Sequence, residues 1–434
     1  MMQTNQLGTT SIKKIFFQLT IPAVVAQLVN LLYNMVDRMY IGRIKDIGPL
    51  ALTGVGVSMP IIMLVAAFAV LIGAGGAPRA SILMGAGKRQ EAEKILNNCA
   101  AALAVLGLVL TVLFYTFKEK LLIAFGASDQ SLVYALEYTG IYILGSIAVM
   151  ITLGLNYFIS AQGFATTSMK TTLIGAGLNI VLDPIFIFGL KMGVKGAALA
   201  TIISQTISCI WVLLFLMGPK TVLKIKKSSL ELSSKVMAPV LALGFSPFIM
   251  HSTESLLQIT FNTSLAKYGG DLYVGTMAIN AILMQFVWLP LAGFTQGATP
   301  IISYNYGAKN KDRVKDTIKL LIKTCLIYSV TLFIFIQVFP GLFINLFTKD
   351  AKLFEATSWT LRIYAGGIFL LGIQAACQQS FIAFGQARTS VFLALFRKIV
   401  MLIPLIYFLP HILPNAVQAV YIAEPIADIV AALV

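Results

Sequence analysis

"LNIVLDPIF", Leu178 to Phe186, sets a carboxylate and a helix breaker inside an apolar run. In the middle of a bilayer an ionised side chain is costly, and proline withdraws a backbone donor from its helix. The reading of the stretch therefore turns on what surrounds it, and the rest of the chain points to lipid. Of 434 residues, 58% are hydrophobic and 11% charged. Mean hydropathy is +0.87. A soluble domain cannot keep so much apolar surface out of water.

A net charge of +15 raises the possibility of nucleic acid. The basic residues, however, are scattered over short segments between apolar runs, which suits loops facing anionic lipid headgroups better than a nucleic-acid face. Membrane lipids are the expected partners, and nucleic acid is not. Cys99, Cys209, Cys325 and Cys377 lie in apolar runs without metal-like spacing and read as small core residues. His251 and His411 stand alone, so no histidine-based metal site is expected. There is no HExxH, GxSxG, CxxC or GxxxxGK[ST] pattern, so neither an enzyme nor an ATP-driven pump is expected.

A helix needs about 20 apolar residues to cross the hydrocarbon core. Twelve runs qualify, near 15–42, 50–75, 92–117, 131–160, 165–189, 194–218, 237–266, 273–299, 314–345, 353–384, 388–410 and 415–434. With the N-terminus inside, the inner loops carry eighteen Lys and Arg and the outer loops nine. The excess of positive charge on the inner side puts both termini in the cytoplasm.

The two halves repeat at an offset of 222 residues. Pro78 matches Pro300, Ser81 matches Ser303, Gly85 matches Gly307 and Ala86 matches Ala308. "GFATTS" (163–168) aligns with "GQARTS" (385–390), and Ala197 with Ala419. The first helices align with a slip of three, Pro22 against Pro247. Six spans repeated in parallel predict an all-α integral membrane protein: two six-helix bundles related by a pseudo-two-fold axis along the membrane normal. The expected lobes are 1–218 and 237–434, joined by a basic cytoplasmic linker at 219–236. Transporters use this plan, with the substrate path between the bundles.

Polar residues within spans need a reason. In the first span Gln27, Asn30, Asn34 and Asp37 share a helical face, as do Asn179 and Asp183 in the fifth. The sixth offers Thr201, Ser204, Gln205 and Ser208. Stripes facing lipid would be ruinous, so they should converge inside the N-terminal bundle. Two carboxylates in one low-dielectric pocket share a proton or hold a cation. Pro184 would bend the fifth helix and free backbone oxygens near Asp183. Alternatively, Asp183 merely caps a broken half-helix. The repeat weighs against a purely architectural role, because Asp183 corresponds to Leu405 and Asn179 to Met401. In the seventh span Glu254, Gln258 and Asn262 form a second polar line, followed by Gln285 and Gln296 in the eighth. Glu254 either attracts a cationic ligand or carries a proton, or it is a satisfied structural carboxyl near a helix start. Glu424 and Asp428 in the last span stay equally open.

"YNMVDRMYIG" (33–42), "GLNIVLDPIFIFGLKMGVKGAALAT" (177–201) and "TQGATPIISYNYGAKNKDRVK" (295–315) resemble multidrug and toxic compound extrusion (MATE) transporters. The similarity covers essentially the whole chain and is nearest to the DinF-like branch. It implies two six-helix lobes around a V-shaped cleft, and export of bulky, cationic or amphiphilic compounds against inward H⁺ or Na⁺. It also implies that Asp37, Asn179, Asp183 and Thr201 handle the coupling ion, with Tyr138 as the matching aromatic of the fourth helix. Gln27, Asn30, Asn34, Glu254, Gln258, Asn262 and Gln285 are the expected cleft-lining residues. No cofactor and no metal are expected beyond Na⁺ at that coupling site. The expected protein is a monomeric antiporter of the cell membrane. A lipid or lipid-linked saccharide flippase of the same superfamily is the alternative. It would need a strongly cationic cavity, for which Arg397 and Lys398, near the expected start of the eleventh helix, are the candidates.

Overall fold

The computed structural model describes residues 2–226 and 231–434, and every regular element among them is helical. Eleven helices are long and apolar enough to cross a membrane. A bent pair, Asp129–Leu144 and Ser146–Ala161, makes the twelfth span. The chain is a multi-pass membrane protein. The first six spans are Ile12–Gly42, Gly48–Gly85, Arg89–Ala124, the bent pair, Ala165–Gly189 and Gly193–Met217. The second six are Ser234–Gly269, Asp271–Gly307, Lys311–Val338, Ala351–Ala383, Ala387–His411 and Ala416–Leu433.

Several boundaries differ from the sequence reading: the second, third and eighth spans run on to Gly85, Ala124 and Gly307, and three further differences have a local cause. The fourth span is not one rod: it turns by 57° at Gly145. A side chain on Gly145 would come within 2.3 Å of Ile202, so the close crossing with the sixth span requires glycine there. The ninth span ends at Val338, not near 345, and a short helix, Pro340–Ile344, follows. Proline drives the residue before it out of the helical region, and Phe339 sits at φ −125°, ψ 52°. The seventh helix starts at Ser234, three residues before the expected lobe start. Of the expected linker, residues 227–230 lie outside the described residues. Its first part is docked on the N-terminal half, where Gln162 Oε1 accepts from the backbone N–H groups of Val222 (2.8 Å) and Leu223 (2.7 Å).

The 222-residue offset reappears as geometry. The Ser81 hydroxyl donates to the carbonyl of Ala161, and the Ser303 hydroxyl to the carbonyl of Ala383. Ser303 and Ala383 lie 222 residues after Ser81 and Ala161. A Cβ on Gly85 would lie 1.9 Å from the carbonyl oxygen of Tyr304, and one on Gly307 would lie 1.9 Å from that of Ile82. Those contacts are also exchanged by the repeat, which places the pseudo-two-fold axis between the second and eighth spans.

This end of the bundle carries most of the basic loops and is called the basic end below. Here the halves clasp each other. Leu7, Ile15, Phe16 and Leu19 join the apolar core of the second half. Met237 and Val240 join the core of the first. Gly297 packs on Thr20, and Gly75 on Val240, each too closely for a side chain. Toward the other end the halves diverge into a V-shaped cleft, where a cavity of about 750 Å³ has walls from both.

Candidate functional site

The cleft wall on the N-terminal side is built where the polar stripes were expected to meet. Asp37, Tyr138 and Thr201 line the cavity and are themselves buried, at 7%, 4% and 4% exposure. Asn179 and Asp183 sit behind them, at 1% and 0%. Four spans therefore contribute: the first, the fourth, the fifth and the sixth. Gly196 brings the sixth span against the backbone of Phe186, and Thr201 follows one and a half turns later.

One amide organises the group. Asn179 Nδ2 donates to Asp183 Oδ1 (3.2 Å) and to Thr201 Oγ1 (3.2 Å). The carboxyls of Asp37 and Asp183 lie close enough to interact. Yet Asp37 Oδ1, Asp183 Oδ2, Asn179 Oδ1 and Ser204 Oγ are buried without a hydrogen-bond partner. An unsatisfied buried acceptor costs about 1–3 kcal/mol, more when charged. Oxygen donors alone suit a proton or a hard cation such as Na⁺, and not a soft metal. Among the described residues, no three His, Cys, Asp or Glu side chains form a cluster that could hold a metal ion.

Pro184 does not end the fifth span. The helix widens behind it into a π-helical turn, Ile185–Gly189, in which the N–H of Leu190 donates to the carbonyl of Ile185 (2.8 Å). Such turns inside α-helices often mark functional sites. The widening follows directly after Asp183.

Two neighbours of the site escaped the sequence reading. Tyr33 lies one turn before Asp37 and lines the same cavity. Tyr142 stacks on Tyr138 at 6.2 Å between centroids. Both stand at i ± 4 from an expected site residue, which is the signal that could have found them.

The remaining expected residues are distributed more widely. Asn34 and Gln285 line the main cleft from opposite halves. Gln27 and Asn30 instead line a separate cavity of about 100 Å³ nearer the basic end. There Gln27 Nε2 donates across the halves to Gln296 Oε1 (3.1 Å). Gln258 and Asn262 are exposed on the seventh helix.

Glu254 is not a free acceptor for a cation, because it is ion-paired with Lys398. The Lys398 ammonium also donates to the carbonyl of Met250 (2.6 Å). Arg397 Nε donates to Asp428 Oδ1 (2.8 Å), and its Nη2 to Glu424 Oε1 (3.0 Å). The guanidinium sits 5.0 Å from the Trp288 ring centre. Arg397 and Lys398 therefore lie well inside the eleventh span, on a second π-helical stretch, Phe396–Leu402, and not near its start. They are buried against carboxylates and do not form a cationic cavity.

A family model described as MatE matches residues 22–185 and 247–408. The two segments open on Pro22 and Pro247, the pair aligned within the repeat. The multidrug export protein MepA of Staphylococcus haemolyticus (strain JCSC1435) is 27% identical over 424 residues, or 97% of this chain and 93% of that one. A solved structure of the MATE multidrug transporter DinF-BH shares 34% identity at a TM-score of 0.91, over 100% of this chain and 96% of that one. An outward-facing multidrug resistance MATE transporter of the MOP superfamily has the same fold, with a TM-score of 0.92 at 24% identity over 100% and 96% of the two chains. Two matched repeats, clasped at one end and open at the other, place the chain in the MATE family of transporters.

Proposed function

We propose that this chain is a secondary antiporter that exports bulky cationic or amphiphilic compounds in exchange for inward H⁺ or Na⁺. One observation carries the reading: two buried carboxyls, with orphaned oxygens, border a cleft shared by both halves. The relatives named above, a multidrug export protein and multidrug transporters, support the substrate class. So does the cavity lining, where Met35, Met39, Met59 and Met63 accompany Tyr33, Tyr138 and Phe347. Methionine adapts to varied apolar shapes, and aromatic faces attract cations.

The coupling ion enters from the cleft past Asp37 and settles between Asp37, Asp183, Asn179 and Thr201. With the ion bound, the pair loses its negative charge, and the substrate loses its electrostatic attraction to this wall. The halves then rock about their clasped end. Ion and substrate compete for one region, and that competition couples the fluxes. The protein works as a single chain in the cell membrane with both termini cytoplasmic, a sidedness supported by the excess of basic inner loops. The flippase alternative loses its main support, because Arg397 and Lys398 are consumed by internal carboxylates.

The test is efflux of a cationic dye from proteoliposomes under an imposed H⁺ or Na⁺ gradient, applied separately. One gradient should drive efflux, and Asp37→Asn or Asp183→Asn should abolish it in folded protein. Gradient-driven efflux that survives in both variants would sink the reading.

A further inference from the structure

A second large cavity, about 780 Å³, opens at the basic end, away from the cleft. Its walls come from both halves: Ile82 from the second span and Ala86 just after it, Tyr306 from the eighth, Val314 and Ile318 from the ninth, and Phe384 just after the tenth. Around the rim stand Lys309, Lys311, Lys315 and Lys319, all exposed. Lys311, Lys315 and Lys319 follow each other at i + 4, so they edge one face of the ninth helix beside Val314 and Ile318. Asp312 and Asp316 lie further round that helix, outside the lining. None of the four lysines forms an ion pair among the described residues. Elsewhere at this end Lys88 and Lys226 do, with Glu91 and Glu93.

Tyr306 and Phe384 divide this cavity from a smaller neighbour of about 380 Å³, whose charged lining is Arg79, Lys94, Lys235 and Glu91, the last paired with Lys88. There Arg79 Nε is buried without a hydrogen-bond partner. An apolar floor under a rim of exposed lysines that form no ion pair among the described residues, at the end of the bundle that carries the basic loops, fits one class of molecule. It must carry a phosphate at one end and hydrocarbon at the other.

We propose that this groove binds an anionic phospholipid of the adjoining leaflet, with the phosphate among Lys309, Lys311, Lys315 and Lys319 and an acyl chain along Ile82, Val314, Ile318 and Phe384. The groove exists only while the second span meets the eighth and ninth, since both halves supply its walls. A lipid seated there therefore favours the state in which the basic end is closed, by mass action on that state alone. Anionic lipid becomes a regulator of the exchange cycle rather than passive solvent.

The experiment is native mass spectrometry of the full chain released from vesicles of equimolar phosphatidylglycerol and phosphatidylcholine. Wild type should retain phosphatidylglycerol selectively. The Lys311→Gln, Lys315→Gln, Lys319→Gln triple variant should hold it roughly 100-fold less tightly. The same three positions changed to Arg should restore retention, which separates lost charge from lost fold. Lys118→Gln, Lys349→Gln, Lys352→Gln, a charge-matched change at the opposite end, should leave retention unaltered. Equal retention by the glutamine triple and wild type would overturn the proposal, as would a wild type indifferent to headgroup charge. Displacement of the lipid by equimolar glycerophosphoglycerol would overturn it too, because a site for free phosphate needs no acyl chain.

Discussion

The two halves carry their intramembrane charge in equivalent spans and treat it in opposite ways. In the first half, Asp37 on the first span faces Asp183 on the fifth, with Thr201 on the sixth; among the described residues no buried cation answers them, and Arg38 beside Asp37 is exposed. In the second half, Glu254 on the seventh span, Arg397 and Lys398 on the eleventh, and Glu424 and Asp428 on the twelfth form ion pairs. The repeat pairs the first span with the seventh, the fifth with the eleventh and the sixth with the twelfth. Both fifth-type spans contain a π-helical stretch. A symmetric scaffold thus holds one centre without an ion pair among the described residues and one that supplies its own. The first is suited to exchange an ion and the second to hold helices together.

That contrast predicts opposite responses to neutralising a carboxylate. Asp428→Asn removes the main partner of a guanidinium that is 5% exposed. Breaking a buried pair from one side costs about 3–5 kcal/mol. A thermal melt in detergent should fall steeply. Replacing the group as a whole, with Arg397→Met, Glu424→Gln and Asp428→Asn together, should recover most of that loss. Efflux should survive in this triple variant. A triple variant that folds but does not transport would break the comparison, by showing that the second centre also handles charge during the cycle.

At the first centre the sign reverses. Asp37→Asn and Asp183→Asn turn orphaned carboxylate oxygens into amides that can both donate and accept. Each variant should melt at or above the wild-type temperature, by up to about 1–3 kcal/mol of added stability, while exchange is lost. A melt as depressed as that of Asp428→Asn would mean that the carboxylates of the first half are architectural after all.

The contrast between the halves was only half legible in the sequence. Asp183 and Asn179 announced themselves because four residues of helix align them and because an Asp-Pro step is conspicuous in an apolar run. Their absence at Leu405 and Met401 was equally visible through the repeat. The pairing of Arg397 with Glu424 and Asp428 was not visible. It joins residues about thirty apart across two helices, and a π-helical stretch shifts the angular position of the basic pair, so periodicity could not place it. Twelve spans could be counted from apolar length, but the break falls at Gly145, where the backbone passes too close to Ile202 for a side chain, and that closeness is a tertiary demand. The exchange of helix ends between lobes was hidden for the same reason. Leu19 and Val240 are ordinary apolar residues until their neighbours are known.

Asn179 offers the finest discrimination. Alanine there removes two donated hydrogen bonds, to Asp183 and to Thr201. Bonds between membrane helices contribute roughly 0.6 kcal/mol on average, so the melt should shift by only about 1 kcal/mol. The transport effect depends on which ion is held. A shared proton lies between the carboxyls and does not touch the Asn179 oxygen. In that case Asn179→Ala, which removes a donor to the ionised Asp183, should tighten proton binding and lower the half-saturating proton concentration. A sodium ion would take the orphaned Asn179 Oδ1 as a ligand, and its half-saturating concentration should then rise about tenfold, the equivalent of about 1.4 kcal/mol. Measured on the second half, the same change has no target, because Met401 stands in that place. A tenfold shift in sodium dependence would therefore locate the ion on the side of the molecule where carboxylates lack internal partners.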